Sequence, residues 1–180
     1  MPDMEESSAP LRSATAVIRR PALTDAAGIH QLVIESGALD VNSCYLYLLL
    51  CRDFSATCRV AEMDGHIIGF VTAYHPPGRP GTLFIWQIAV KHTHRGQGMA
   101  LRLLLDLLAS VAEGPGLVME TTISQSNLAS QRLFASLARR LRCHLRMDQG
   151  FDARLFAPQT HASEKKFLIG PVAPGLELSA

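Results

Sequence analysis

The sequence has little cysteine, few aromatic residues, no excess of charge of one sign and no long apolar run. Its four cysteines include no C-x-x-C pair, so we expect buried thiols and neither a disulfide scaffold nor a metal site. Lys and Arg number 17 against 16 Asp and Glu, which leaves no electrostatic footprint for a nucleic-acid backbone. The longest apolar run, Cys44 to Cys51, is far too short to cross a membrane. These absences favour a small-molecule partner, with no nucleic acid and no membrane.

The length and the two ends of the chain indicate one folded domain with a loose tail on each side. A chain of 180 residues can bury one sizeable core but is short for two domains. Residues 1–14 lack periodicity, and residues 171–180 repeat Pro, Gly and Ala, so the predicted domain spans residues 15–170. The acidic N-terminus is not followed by an apolar run and does not resemble a signal peptide, so we expect a cytoplasmic protein.

Hydrophobic periodicity and turn residues predict an α/β fold. Thr24 is expected to cap the first helix, which ends at Gly37, and Asn42 or Ser43 is expected to cap the second, with Leu46, Leu49 and Leu50 as its apolar positions. The other two helices are predicted at 98–113 and 127–141. The predicted strands are 15–19, 58–62, 66–74, 82–90, 117–123, 143–147 and 167–169, with a hairpin turn at Asp64-Gly65 and a central position for 82–90.

The stretch from Ile88 to Ala100 carries the clearest functional signal, because a buried strand there turns through glycines into a helix. Glycines let a ligand approach the backbone, and the free N–H groups of a helix start stabilise an anion such as a pyrophosphate. The segment lacks the Gly-Lys-Ser/Thr of a Walker loop and the third glycine of a dinucleotide fingerprint. We therefore expect the backbone from Gly96 to Leu101 to bind the phosphates of another kind of ligand.

Arg95-x-x-Gly98-x-Ala100 resembles the Q/R-x-x-G-x-G/A signature of the GCN5-related N-acetyltransferase superfamily. The resemblance implies a central mixed, mostly antiparallel, twisted sheet flanked by about four helices, with acetyl-CoA as the acetyl donor. A tyrosine that often serves as general acid in that superfamily is replaced here by Phe134, which cannot donate a proton. The residues implied to bind acetyl-CoA are Ile88, Val90, Arg95, Gly96, Gln97, Gly98, Met99, Ala100, Leu101 and Asn127.

Further segments look like one family within that superfamily, the L-2,4-diaminobutyrate N-γ-acetyltransferases of ectoine biosynthesis. The resemblance covers about residues 16–171. It implies transfer of an acetyl group to the γ-amine of diaminobutyrate by direct attack in a ternary complex, in a homodimer that serves the response to osmotic stress. The segments that carry it are 39–45, 69–72, 76–80, 82–87, 120–122, 127–130 and 151–152.

A diamine that carries a carboxylate needs acids at its amines and a donor at its carboxylate. We expect Asp40 and Glu120 to supply the acids, Trp86 and Tyr45 to form an aromatic wall for the aliphatic stem, and His161 to contact the carboxylate. Glu120 is the expected catalytic base, since a carboxylate within a buried strand needs a partner or a task. Each has a plainer alternative: Asp40 as a loop or cap residue, Trp86 as core, Glu120 as a structural or exposed carboxylate, and His161 as an idle surface histidine.

Two other functions are compatible with the sequence. One is an acetyltransferase for a different amine, such as a polyamine, an aminoglycoside or a protein N-terminus, because balanced charge excludes none of these. The other is a non-catalytic acetyl-CoA-binding module, which the phenylalanine at position 134 favours.

Overall fold

The computed structural model describes residues 15–112, 116–158 and 161–173. The predicted N-terminal tail at 1–14 and most of the predicted C-terminal tail, 174–180, lie outside the described residues. The expected end of the third helix at Glu113, with the Gly114-Pro115 that follows, lies outside them as well.

The described ranges contain seven strands and four α-helices. The strands are β1 Val17–Arg19, β2 Arg59–Met63, β3 His66–Tyr74, β4 Thr82–Val90, β5 Leu117–Ser124, β6 His144–Gln149 and β7 Glu164–Val172. The helices are α1 Ala26–Ser36, α2 Cys44–Asp53, α3 Met99–Val111 and α4 Leu128–Leu141, with short 3-10 turns at Leu23–Asp25, Ser55–Thr57, His92–His94 and Ala153–Phe156. None of the described helices is long and apolar enough to span a membrane.

All strands join one sheet in the order β1-β2-β3-β4-β5-β7-β6. Neighbouring strands run antiparallel except β4 and β5, which run parallel. The α/β class and the mixed, mostly antiparallel sheet predicted from the sequence are confirmed. The predicted central place of β4 is confirmed too, since three strands lie on each side of it.

The core lies on both faces of the sheet, because neighbouring residues of a strand point in opposite directions. Phe70 packs with α1 and α2 on one face, and Val71 packs with α3 and α4 on the other. The α3 residues Leu103, Leu104, Leu107 and Leu108 are fully buried. The predicted leucine-faced helix after the glycine turn is confirmed, and it fixes that turn against the centre of the sheet.

Some local predictions were wrong, mostly because tertiary contacts override local patterns. Thr24 lies inside the 3-10 turn and does not cap α1, since Asp25 occupies the N-cap position. On α2 the predicted apolar positions Leu50 and Leu46 are confirmed, since Leu50 is buried and Leu46 packs against the same cluster. The buried residues also include Tyr47 and Cys51, which the pattern did not mark.

The last strand is longer than predicted. It runs from Glu164 to Val172, so its final two residues fall in the segment assigned to the C-terminal tail. Lys165, Lys166 and Gly170 obscure the pattern in the sequence, but Phe167, Ile169 and Val172 are buried on one side of the sheet. Pairing with β5 and β6 on its two edges accounts for the extra length.

The four cysteines do not share one environment. Cys51 and Cys58 are buried, as expected, whereas Cys44 and Cys143 are partly exposed. Burial raises the pKa of the Cys51 thiol to about 12 and that of Cys58 to about 11. Both buried thiols are therefore protonated at neutral pH and unsuited to nucleophilic catalysis.

Arg19 ties the first strand to the start of α1 and to β2. Its guanidinium donates two hydrogen bonds to Asp25, at 2.6 and 2.9 Å, and also contacts Glu62. Asp25 is buried and accepts a third bond from the backbone N–H of Ala22 at 2.7 Å. The hydrogen bonds from Arg19 lower the pKa of Asp25, against the opposing effect of burial.

Replacing Asp25 with Asn should lower the free energy of unfolding by about 2 kcal/mol at neutral pH, since charge-assisted hydrogen bonds to Arg19 are lost. A carboxyl with a lowered folded pKa stabilises above its ordinary pKa and loses that effect as the pH falls through the folded value. The gap between parent and variant should therefore narrow in urea unfolding as the pH falls from 7 towards about 2.5. Asp53→Asn, at an exposed pair with Arg52, is the control and should change little. A gap that stayed constant with pH would contradict this role of Asp25.

Candidate functional site

Strands β4 and β5 separate after a short parallel ladder. Their pairing is confined to Thr82–Phe84 of β4 and Val118–Glu120 of β5. Beyond that point β4 pairs with β3 and β5 pairs with β7, so the facing edge of β4 is left without a strand. Unpaired backbone N–H and C=O groups need hydrogen-bonding partners, and an extended ligand with amides can provide them. A cavity of about 570 Å³ opens along this separation.

Trp86 stands at a bulge in β4, beside this cavity. Thr72 of β3 pairs with Gln87 but Ala73 pairs with Ile85, so Trp86 has no opposite residue on β3. A bulge re-aims a side chain, and the indole lines the cavity with 38% of the residue exposed. Trp86 is therefore positioned to contact a ligand. It is not a core tryptophan, which was the plainer alternative for this residue.

Glu120 lies at the point where the two strands separate. It is 7% exposed, lines the cavity and accepts a hydrogen bond from Nη1 of Arg79 at 2.7 Å. A buried carboxylate is costly unless it is paired, and the Arg79 guanidinium supplies the pair. Arg79 belongs to the turn between β3 and β4, and the sequence reasoning did not single it out as a site residue.

Two more carboxylates line the same end of the cavity, and His161 lies between them. Nε2 of His161 is 3.7 Å from Oδ2 of Asp40 and 4.0 Å from Oε1 of Glu164. Nδ1 of His161 lies 2.7 Å from the carbonyl oxygen of Ala162, and the imidazole ring stacks on Phe156 with ring centroids 4.0 Å apart. His161 is thus held by a backbone group and an aromatic ring, with its free nitrogen directed at acids.

The loop that carries Asp40 is fixed to β4 through buried polar groups. The Gln87 side chain donates to the Asp40 carbonyl at 3.0 Å and accepts from the Tyr47 hydroxyl at 2.9 Å. Gln87 is 5% exposed and Tyr47 is fully buried. The sequence did offer a signal for Gln87, since a polar residue within an apolar strand requires a partner. It offered none for Tyr47 as that partner.

Tyr45 does not join the predicted aromatic wall. It lies in the first turn of α2, is 65% exposed and is not among the residues that line the cavity. Phe84, Phe151 and Phe156 provide aromatic lining in addition to Trp86. The assignment of Tyr45 to substrate binding stays a prediction that this arrangement does not support.

The glycine turn borders a second cavity, of about 270 Å³, at the other end of β4. Gly96 and Gly98 have φ angles of +77° and +74°, a conformation that favours glycine. Because α3 begins at Met99, the first N–H groups of the helix lack partners within it and remain available to an anion. The cavity is lined by His94, Arg95, Gly96, Gly98, Met99, Ala100 and Leu101, with Val90, Leu133 and Ser136.

The remaining residues expected to bind acetyl-CoA divide between the cavities. Ile88 and Asn127 line the first, and Asn127 also caps α4 by accepting from the Ser130 N–H at 3.0 Å. Gln97 lies in the turn but lines neither cavity. Nε of Arg95 donates to the Val90 carbonyl at 2.9 Å, which fastens the turn to the end of β4.

Phe134 closes the first cavity with an apolar ring. It is 2% exposed and can donate no proton, as the sequence predicts. Within the described ranges no group of three or more His, Cys, Asp or Glu side chains could hold a metal ion. The acidic and basic side chains that line the first cavity are Asp40, Glu120, Glu164, Arg79 and His161.

Known proteins resemble this chain in sequence and in architecture. The L-2,4-diaminobutyric acid acetyltransferase of Nocardia farcinica is 46% identical over 162 residues, which cover 90% of this chain and 83% of that protein. The protein of the same name from Streptomyces coelicolor is 44% identical, with 88% and 94% covered. The structure of diaminobutyrate acetyltransferase EctA from Paenibacillus lautus, in complex with its substrate L-2,4-diaminobutyric acid and coenzyme A, matches with a TM-score of 0.82 at 39% identity. The match covers 88% of this chain and 96% of that one.

Residues 27–138 match the Acetyltransferase (GNAT) family. This range includes the β4 edge, the glycine turn at the start of α3 and the Asn127 cap of α4. The resemblance inferred from Arg95-x-x-Gly98-x-Ala100 is confirmed: the chain belongs to the GNAT acetyltransferase family.

Proposed function

We propose that this protein transfers the acetyl group of acetyl-CoA to the γ-amine of L-2,4-diaminobutyrate, the acetylating step of ectoine biosynthesis. The observation that carries the proposal is the cavity between the separated strands, with Glu120 buried at the point of separation. The end of this cavity that is lined by Asp40, Glu120 and Glu164, here called the acceptor end, is acidic. The relatives named for this reaction match nearly the whole chain, which supports the same substrate.

The donor side fits coenzyme A from one end of β4 to the other. The unpaired edge of β4 offers the backbone groups of Ile88 and the N–H of Val90 to the amides of a pantetheine arm, while the Val90 carbonyl is bound by Arg95. The first turn of α3 offers N–H groups and the positive end of the helix dipole to a pyrophosphate. Asn127 and Arg95 lie on the two cavities that this path would connect.

The acceptor side matches a diamino acid in charge. Asp40, Glu120 and Glu164 present three carboxylates to the cavity, with Arg79 as a cation among them. Diaminobutyrate carries two ammonium groups and one carboxylate at neutral pH, the complementary arrangement. Trp86 offers an aromatic face to the aliphatic stem or to an ammonium group.

The reaction requires a neutral amine. An ordinary amine with a pKa near 10.4 costs about 4.6 kcal/mol to deprotonate at pH 7. We assign the proton to Glu120, directly or through a water molecule, after which the nitrogen lone pair attacks the thioester carbonyl. The C–N bond forms, the oxyanion is stabilised by a backbone N–H near Val90, and the C–S bond then breaks to release the thiolate while the nitrogen gives up its second proton, through water, to leave a neutral amide. Phe134 cannot return a proton to that thiolate, so a group other than residue 134 must do so.

Two other properties accompany this proposal. We infer that the enzyme works as a homodimer in the cytoplasm and serves the response to osmotic stress, as the family resemblance implies. The alternatives of another small-amine acetyltransferase and of a non-catalytic acetyl-CoA-binding module make different predictions in one assay.

Release of coenzyme A thiol from acetyl-CoA, measured over a panel of small amines, tests the function. We expect kcat/KM for L-2,4-diaminobutyrate to exceed that for ornithine or lysine by about tenfold or more, since one methylene in a shaped pocket is worth about 1–3 kcal/mol. Equal rates across the panel would support a general amine acetyltransferase, and no thiol release with any amine would support a binding module.

Gly98→Val should weaken coenzyme A binding by about 10- to 100-fold, because a β-branched residue cannot hold the positive φ that directs the turn N–H groups. Calorimetric titration with coenzyme A measures the loss. Gly65→Val is the matched control, since Gly65 has a φ of +75° in a hairpin turn away from both cavities. Unchanged affinity in Gly98→Val would contradict the placement of the phosphates at this turn.

Glu120→Gln should lower kcat/KM by about 10²- to 10⁴-fold at pH 7, the usual range for a lost general base. Raising the pH should restore part of the rate, because more of the amine then arrives neutral. Glu164→Gln, at a second carboxylate of the same cavity, should raise the acceptor KM and keep the pH profile of the parent. If Glu120→Gln shared that parent profile at near-full rate, Glu120 would be structural.

A further inference from the structure

Arg79 is held by two consecutive β-turns at the mouth of the acceptor end. Its N–H donates to the Pro76 carbonyl at 3.0 Å, and Gly78 has a φ of +77°, which with Pro77 is the pattern of a type II turn. Its own carbonyl accepts from Thr82 N–H at 2.9 Å. The backbone of this residue is therefore fixed, although its side chain is 52% exposed.

The guanidinium of Arg79 is only partly used. Nη1 donates to Glu120, and within the described residues Nε and Nη2 make no hydrogen bond. A guanidinium carries five donors in a planar fork that matches a carboxylate. Arg79 therefore has donors that can engage a second carboxylate before its Nη1 is released from Glu120.

Arg79 is also the only Lys or Arg among the described residues that line the first cavity, which contains the acceptor end. His161, the other basic side chain of that lining, directs Nε2 at Asp40 and Glu164. A substrate carboxylate at His161 would meet those two acids, whereas at Arg79 it meets a permanent cation. The geometry thus favours Arg79 over the residue that the sequence suggested for this task.

We propose that Arg79 binds the α-carboxylate of the acceptor and so selects diamino acids over plain diamines; this inference rests on the proposed function. The Glu120–Arg79 pair presents one negative and one positive charge, which are complementary to the γ-ammonium group and the carboxylate of the arriving amino acid. The substrate inserts into the pair: its γ-ammonium group takes Glu120, and its carboxylate takes Arg79. A diamine without a carboxylate would leave Arg79 on Glu120 and compete poorly for it.

The test compares two acceptors that differ only in the carboxylate, L-2,4-diaminobutyrate and its decarboxylated counterpart 1,3-diaminopropane. Arg79→Gln should raise the KM for diaminobutyrate by about 10- to 100-fold, the effect of losing charge-assisted hydrogen bonds. Its kcat/KM for diaminopropane should stay the same or rise. Arg79→Lys should fall between the parent and Arg79→Gln, since lysine keeps the charge and loses the fork.

Arg52→Gln is the matched control, because it removes a guanidinium of similar exposure from an ion pair with Asp53 outside both cavities. It should leave the preference between the two acceptors unchanged. The parent can also be tested without any variant: replacing the carboxylate by a neutral amide, in 2,4-diaminobutanamide, should raise the KM as Arg79→Gln does. The amide and the acid should then be equal substrates for Arg79→Gln.

An equal loss for both acceptors in Arg79→Gln would overturn the inference, because Arg79 would then act only by positioning Glu120. An amide accepted by the parent as well as the acid would overturn it too. In both cases turnover of diaminobutyrate by the parent would leave the proposed function standing. No turnover of diaminobutyrate by the parent would instead overturn the proposed function itself, and the inference about Arg79 with it.

Discussion

The site depends on one feature of the sheet: the parallel ladder between β4 and β5 ends at Phe84 and Glu120. Were it continued, the edge of β4 would be satisfied by β5 and the cavity would close. Because it ends there, a run of backbone donors and acceptors faces open space beside a buried carboxylate. A thioester donor and an amine acceptor can then meet at the same point from opposite ends of one gap.

Charge is distributed along this gap as the two ligands require. The donor end offers backbone dipoles and the start of α3, which suit phosphates, and the acceptor end offers carboxylates, which suit amines. Burying Glu120 would be costly without a counter-charge, and Arg79 supplies it from a turn rather than from the sheet. A counter-charge on a turn can be exchanged for a substrate ammonium group without disturbing the strands.

The sequence predicted the parts of this structure that depend on local pattern. Strand β4, the leucine-faced α3 and the glycine turn all follow from short-range periodicity and backbone preference, and each was predicted correctly to within a residue or two. Contacts between residues far apart in the chain could not be predicted from local sequence patterns. Nothing local shows that Tyr47 and not Tyr45 would face inward, or that Gln87 would join it to the loop of Asp40, 47 residues away. The same holds for Arg79, whose partner lies 41 residues further along the chain.

The position of Gln87 explains why the acceptor loop can be exposed and still ordered. The Asp40 side chain is 82% exposed, so packing does not hold it. Its backbone carbonyl is instead bound to a glutamine on the most central strand, next to the bulge that directs Trp86 into the cavity. One stretch of β4 thus sets the aromatic face, the acidic loop and, two residues later, the backbone offered to the donor. The relative placement of Trp86, the Asp40 loop and the backbone offered to the donor therefore follows from a single strand, which the helices on either face of the sheet keep buried.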